Sequence, residues 1–449
     1  MLAGESAREI AELVRTRKAT AEEVLHAHLR RIDRYEPGIN AFTAVLAEQA
    51  LEAARELDGR SDLGELPLAG VPVAIKDNVD VAGQPTRHGS AATTDAPAAR
   101  DDELVRRLRA AGCVVIGKTR LPELAIWPFT EPVAGGSTHN PWDPHRTAGG
   151  STGGGAAAVA VGMAPLALGS DGGGSIRIPA ACCGIVGLKP SPGLLPIAGG
   201  DTAHWRGLSA FGPLAVTVAD AGLMFAVLAG RPASAHPEVP ATPLRIALST
   251  KAVAPGASIQ AETALAVEAI GALLEEAGHL ILREDPPYPP DIGLRYARRY
   301  LAGIAEDAAS LPLDKLEKRT RGMVRAGRLL ARWGWNGMAA EDDFGSTMLA
   351  WFDRCDVLLM PTLAEPAVQL GRYDGLGWIR TMLATGNWVQ TPQWNLAGFA
   401  GISVPAAMSA KGLPIGAQFI TPPGGESLLL SIARQVEDLK GWPHWKPGR

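Results

Sequence analysis

Apolar positions along the chain alternate between two kinds of pattern. Over residues 6–15, and again after Thr20, they return every three or four residues, the spacing of amphipathic helices. The second of these has Glu23 three residues after Thr20, a capping-box spacing, and Val24, Leu25, His28, Leu29 and Ile32 then share one face. Short unbroken apolar runs follow at residues 71–75, which end at Lys76 and Asp77, and at 114–116, with a helix expected between them over about 101–111. Alternation of helices with buried strands is the pattern of an α/β sheet. A small-residue helix is expected over 156–163, halted near Pro165, and then a buried strand at 166–168 that runs into a glycine-rich turn. A Pro-rich passage at 231–243 precedes another strand, 244–248, and an Ala/Leu/Glu helix over about 259–277. Residues 296–352 read as helical and Arg-rich, and 357–360 return as a strand before Pro361.

With 449 residues the chain exceeds the size at which one hydrophobic core stops growing, so it is one large catalytic fold or two domains. Hydrophobic residues at 46% and charged residues at 20% exclude disorder. The 43 Lys and Arg against 47 Asp and Glu leave a net charge of -4 without a basic run, which argues against nucleic acid as a ligand. The opening MLAGESAREI lacks the form of a secretory signal, so a cytoplasmic protein is expected. Its four cysteines are irregularly spaced and form no CxxC, which points to buried thiols rather than to disulfides or a metal cage. The uncharged stretch 147–170 is mostly Gly and Ala with Pro165 inside, a core segment rather than a membrane span.

Four motifs compete for the chemistry. Residues 112–119 match GxxxxGK[ST], but a phosphate-binding loop follows a strand and opens a helix. Here a helix precedes Gly112, and the loop would hold Val-Val-Ile, which prefer extended pairing. Residues 149–153 fit GxSxG, an elbow that would make Ser151 a nucleophile with an Asp and then a His downstream. The later histidines His204, His236, His279 and His444 have no neighbours that mark a general base. In SDGGGSIRIP, residues 170–179, three glycines before Ser175 let successive N–H groups turn inward as an anion-binding concavity, although a tight turn with an Asp171–Arg177 ion pair fits the same letters. Lys76 ends an apolar strand, and a lysine desolvated there would offer a neutral amine as a base near pH 7.

Taken together, Lys76 within GVPVAIKDN, then Asn140-Pro141-Trp142, and the run TAGGSTGGGAAAVAVGMAPLALGSDGGGSIRIPAACCGIVGLKP resemble the amidase signature family of serine hydrolases in order and spacing. Weaker likeness continues through 356–362 and 395–418. The resemblance implies an α/β fold over residues 1–449, a central mixed sheet covered by helices on both faces. It also implies an N-terminal helical arm at about 1–60 and a helical insertion on the substrate side at about 290–352. It implies a triad of Ser175 as nucleophile, Ser151 as relay and Lys76 as base, with a cis Gly150–Ser151 peptide. The N–H groups of Gly172, Gly173, Gly174 and Ser175 would form the oxyanion hole, and Thr152, Asp171 and Arg177 would support the site. No cofactor or metal is implied, and a homodimer is. Two positions depart from the family's usual GGSSGGS: Thr152 stands for its second serine and Gly155 for its last.

The segment 121–132 and the DGGGSIRIPAACCG run are similar to the branch that includes hydrolases of cyclic aminohexanoate dimers, which implies a small apolar carboxamide or lactam as substrate. Trp127, Trp205, Trp388 and Trp394 lie in or beside segments that could line its pocket, or are plain core. Three other readings stay open: a glutaminase subunit of a tRNA-dependent amidotransferase, an esterase of the α/β-hydrolase type with Ser151 as nucleophile, and an inactive amide-binding protein. The passage 201–212 looks more like free-standing amidases.

Overall fold

In a computed structural model of the chain, the residues described are 2–200, 204–232, 242–335 and 343–442. His236, His444 and most of the Pro-rich passage lie outside them. The described strands are β1 (Phe42–Val45), β2 (Pro72–Lys76), β3 (Val114–Thr119), β4 (His139–Asn140), β5 (Asp143–Thr147), β6 (Leu166–Asp171), β7 (Val186–Lys189), β8 (Ala210–Ala215), β9 (Arg245–Leu248), β10 (Leu280–Arg283), β11 (Val357–Pro361), β12 (Ala400–Met408) and β13 (Pro414–Thr421). Apart from the β4–β5 pair they form one sheet of eleven strands in the order β1-β3-β2-β6-β8-β7-β12-β13-β11-β9-β10. The sheet is mixed: β3, β2 and β6 are parallel neighbours, as are β11, β9 and β10, while β6 to β11 are joined through antiparallel pairs. Every residue of β2, β3, β6, β8 and β13 is buried, so both faces of the sheet are covered.

Local chemistry explains the outer helices. Ser6 and Thr20 each cap a helix, Ala7–Arg15 and Ala21–Ile39, and each closes a reciprocal capping box, with Glu9 and Glu23. Asp220 then accepts the N–H groups of Ala7 and Arg8, which fastens the first helix to the body of the protein. The letters of the phosphate-binding loop are strand β3, and its Lys118 is buried, 3.0 Å from the Asp77 carboxylate and donating to the Val79 carbonyl at 2.8 Å. The small-residue helix is Gly153–Ala160, starting three residues earlier than its alanines alone suggest. Glycine is needed in that first turn, because a Cβ on Gly154 would stand 2.3 Å from the Ala41 carbonyl oxygen. No helix among the described residues is long and apolar enough to cross a membrane.

Two features of the sheet place the site. Strands β2 and β6 run side by side and parallel, with Ile75 opposite Leu168, so Lys76 and the Ser170–Asp171 pair emerge together at their carboxyl ends. In open α/β sheets, ligands bind outside the carboxyl ends of such strands. On the same side, the helices Ile292–Asp307 and Trp378–Trp388 stand over the end of the sheet and supply walls to a cavity there.

Candidate active site

Lys76 is completely buried, with its Nζ 2.7 Å from Ser151 Oγ, 2.8 Å from Ser170 Oγ and 3.4 Å from the Ser170 carbonyl oxygen. Burial pushes its pKa well below the ordinary lysine value, and the charge of Asp171 only partly opposes this. A neutral amine has two N–H bonds and one lone pair, and three oxygen contacts use all of them. The carbonyl of Ser170 can only accept, so the lone pair is left for a hydroxyl, and Lys76 can take the proton of Ser151. Asn78 Nδ2 donates to Ser170 Oγ at 3.1 Å, steadying the serine on the far side of the amine. The peptide between Gly150 and Ser151 is cis. Ser175 is tied to this cluster through its carbonyl, which accepts the Thr152 N–H at 3.2 Å.

The turn that carries Ser175 is built around one carboxylate. Asp171 is fully buried and accepts from Gly174 N–H at 2.6 Å, Ile176 N–H at 3.2 Å, Arg177 Nε and Nη2 at 3.1 Å each, and Asn395 Nδ2 at 2.9 Å. Burial works against its charge, yet the Arg177 guanidinium and these donors hold the carboxyl well below the usual carboxylate range. Arg177 reaches on to Asn395 Oδ1 at 2.6 Å, the Thr391 carbonyl at 3.3 Å and Gln418 Oε1 at 3.1 Å. This corrects the expected oxyanion hole: the Gly174 N–H is spent on Asp171. The N–H groups of Gly172, Gly173 and Ser175 have no acceptor among the described residues and are the donors left for a substrate oxygen. Tyr296 Oη donates to the Gly172 carbonyl at 3.1 Å, and a Cβ on Gly173 would come within 2.2 Å of that hydroxyl.

Ser175 lies where two cavities meet. One, of about 630 Å³, has an apolar lining that includes Ile126, Trp127, Ile178, Tyr300, Met382 and Leu383. The other, of about 610 Å³, is lined by Ser151, Ser170, Asn78, His204 and Asp307 among others. Trp205 lines both and stands between them, its Nε1 donating to Asp307 Oδ2 at 2.7 Å and its ring edge-on to Tyr300 at 5.1 Å.

Two of the four candidate tryptophans, Trp127 and Trp205, line these cavities, and the other two line neither. Trp394 is fully buried beside Met360 Sδ, at 3.3 Å, and Phe399, and Trp388 is buried with its Nε1 on the Glu365 carbonyl at 3.0 Å. Both are core. Thr152 is buried and its Oγ1 donates to the Ser170 carbonyl at 3.3 Å. Its extra methyl fits because residue 155 is glycine: a Cβ there would stand 3.1 Å from Thr152 Cγ2, so the two departures from the family pattern accommodate each other. Of the other histidines, His204 spends its nitrogens on Ser209 Oγ at 2.7 Å and Asp307 Oδ1 at 3.2 Å, and His279 is buried against Leu244 and Gln435. Neither touches Ser151. Ser170, Asn78, Tyr296, Thr391 and Asn395 were not legible as site residues, since serines, asparagines and tyrosines carry no spacing signal of their own. For Ser170, only its place beside Asp171 in the glycine-rich run was a sign.

Comparison with known proteins agrees with this geometry. The profile of the Amidase family matches residues 23–430. AmiB2 of Mycobacterium tuberculosis is 43% identical over 439 residues, 95% of this chain and 94% of that protein. Among solved structures, 6-aminohexanoate cyclic dimer hydrolase in complex with substrate superposes with a TM-score of 0.87 at 29% identity, covering 98% of each chain. A bacterial aryl acylamidase of the amidase signature enzymes superposes at 0.85 with 25% identity, over 98% of this chain and 96% of that one.

Proposed function

Because this chain belongs to the Amidase family, whose signature enzymes hydrolyse carbon–nitrogen bonds of amides other than peptides, we propose that it does so through an acyl-enzyme on Ser175, with Ser151 as relay and Lys76 as base. The observation that carries this reading is the fully buried Lys76 amine 2.7 Å from Ser151 Oγ. Lys76 takes the proton of Ser151 as Ser151 takes that of Ser175, and Ser175 Oγ attacks the amide carbonyl. The developing oxyanion lies against the N–H groups of Gly172, Gly173 and Ser175, where losing one such donor costs on the order of 2.7–4 kcal/mol in comparable enzymes. Ser151 returns its proton to the departing nitrogen, and water repeats the cycle on the ester. Thr152, Asp171 and Arg177 support the site, the first at the Ser170 carbonyl and the other two by holding the nucleophile turn.

The substrate is a small carboxamide or lactam with an apolar acyl part, a reading supported by the lining of the larger cavity and by likeness to an enzyme named for a cyclic amide. The whole chain acts as one catalytic unit, with residues 290–352 as a substrate-side wall, in keeping with Ile292, Tyr296 and Tyr300 at the cavity. We assign it to the cytoplasm, which suits four cysteines that are all unpaired and buried, and expect a homodimer.

The test is intact-mass spectrometry after treatment with a fluorophosphonate, followed by peptide mapping. An adduct on Ser175 that disappears in Ser175→Ala is the expected result. An adduct on Ser151, or none at all, overturns the assignment.

A further inference from the structure

The two cavities that meet at Ser175 are not equivalent with respect to the reaction. Ser151 and Ser170 line only the polar one, whereas the apolar one reaches Ser175 and Gly173 without touching either. The departing nitrogen must collect its proton from Ser151, so it has to lie on the polar side of the scissile carbon. The acyl chain, on the opposite side of that carbon, then enters the apolar cavity.

From this we infer that the polar cavity is a leaving-group site, built for an amine carrying hydroxyl or ammonium groups, so that the natural substrates are amides of an apolar acid with a hydrophilic amine. This rests on the Ser175–Ser151–Lys76 reading and gives it a direction. The cavity's volume of about 610 Å³ is far more than ammonia needs. Asp307 lines it, with one carboxylate oxygen taken by His204 Nε2 and the other by Trp205 Nε1. A carboxylate has about four lone-pair sites, so about two remain for donors on the substrate. Two further basic residues line the cavity: His88 is pushed below its ordinary pKa by burial, against the pull of Asp307 and Asp77, whereas Lys315 brings a cation. The lining is therefore polar with charge of both signs and suits hydroxyl groups as well as ammonium groups. Asp307 and Met382 are thus the determinants of amine and acyl preference, one on each side of the Trp205 partition.

A matrix of amides tests this: acetyl and hexanoyl groups, each joined to propylamine, 2-aminoethanol and ethylenediamine, with kcat/KM for every member. Wild type is expected to favour hexanoyl over acetyl, and the two hydrophilic amines over propylamine. Asp307→Asn should shrink the amine ratio at least tenfold and leave the acyl ratio in place, while Met382→Glu should do the reverse. The acyl-enzyme offers a second readout. An added amine attacks its carbonyl, Ser175 Oγ departs with the proton returned through Ser151, and a new amide forms. The leaving-group site is also the acceptor site in that step, so hydroxylated amines should intercept the acyl-enzyme better than plain alkylamines of matched basicity, and less so in Asp307→Asn. Hydrolysis with propylamides preferred, or variants that move the opposite ratios, overturns the inference alone. If no member is cleaved and Ser175 takes no fluorophosphonate, it is the underlying triad reading that fails.

Discussion

Lys76 and Ser151 stand 75 positions apart in the chain and 2.7 Å apart in the structure, with the lysine wholly out of water. Its amine serves as a base only when neutral, and burial places that condition well below its ordinary value of 10.5. The rate should therefore rise with pH through an acid limb well under 10.5 and stay level above it. Lys76→Met should lower kcat by at least the 10²–10⁴-fold typical of a lost general base, as an order of magnitude. A pH–rate profile checks both, and a limb close to 10 would rule out a desolvated lysine as the base.

Asp171→Asn should be severely destabilising. The substitution leaves the buried Arg177 guanidinium without its counter-charge, a change that costs about 3–5 kcal/mol in buried pairs. Because the carboxyl is held well below 3.8 in the folded state, the stabilisation it brings is complete above that value and lost only as pH falls beneath it. Urea unfolding of wild type and variant at pH 7 measures the loss, and equal midpoints would contradict the argument.

Gly173 and Tyr296 should couple. Gly173→Ala sets a methyl carbon against the tyrosine hydroxyl and should reduce turnover strongly. Tyr296→Phe alone gives up one hydrogen bond to the Gly172 carbonyl, worth about 1 kcal/mol. In the double variant the alanine should cost less than in wild type, by about 0.5–3 kcal/mol of interaction energy. Four kcat/KM values complete the cycle, and strict additivity would refute the contact.

Lys189→Met should stabilise the protein at neutral pH. This lysine, buried like Lys76 and Lys118, donates only to the Pro190 carbonyl, at 3.2 Å, among the described bonds. Burial first, and then Arg177, push it down to about 7 against the pull of Asp171 and Glu426. Between about 7 and its ordinary 10.5 the unfolded chain binds the proton more readily, so stability rises with pH across that window. Methionine removes this share of the slope. Melting temperatures at pH 7 and 9.5 should show a higher value at pH 7 and a smaller difference between the two for the variant.

Much of this was legible in the sequence wherever a residue's role follows from its neighbours in the chain. The Thr20 cap, strand β2 ending at Lys76, and the glycine turn before Ser175 each show in a few consecutive letters. The long pair β12 and β13 did not, because most of its residues are buried on both faces and no alternation marks it as strand. Trp388 and Trp394 could not be told from pocket residues, since burial against Glu365 and Met360 is decided by partners far along the chain. The Gly174 N–H reads in sequence as one more oxyanion donor for a similar reason. Nest and carboxylate lie within four residues of each other, but which N–H the carboxylate takes is a matter of geometry.

Arg177 also ties the Ser175 turn to the far end of the chain. Its partners are Asp171 on one side and Thr391, Asn395 and Gln418 on the other, so the turn bearing Ser175 is tied to segments made more than two hundred residues later. A chain that holds Lys76, Ser151 and Ser175 but ends before Gln418 leaves Arg177 without one of its acceptors. Completion of the Ser175 turn therefore waits on the C-terminal strands, and a chain shortened before Gln418 should fold without the full support of that turn.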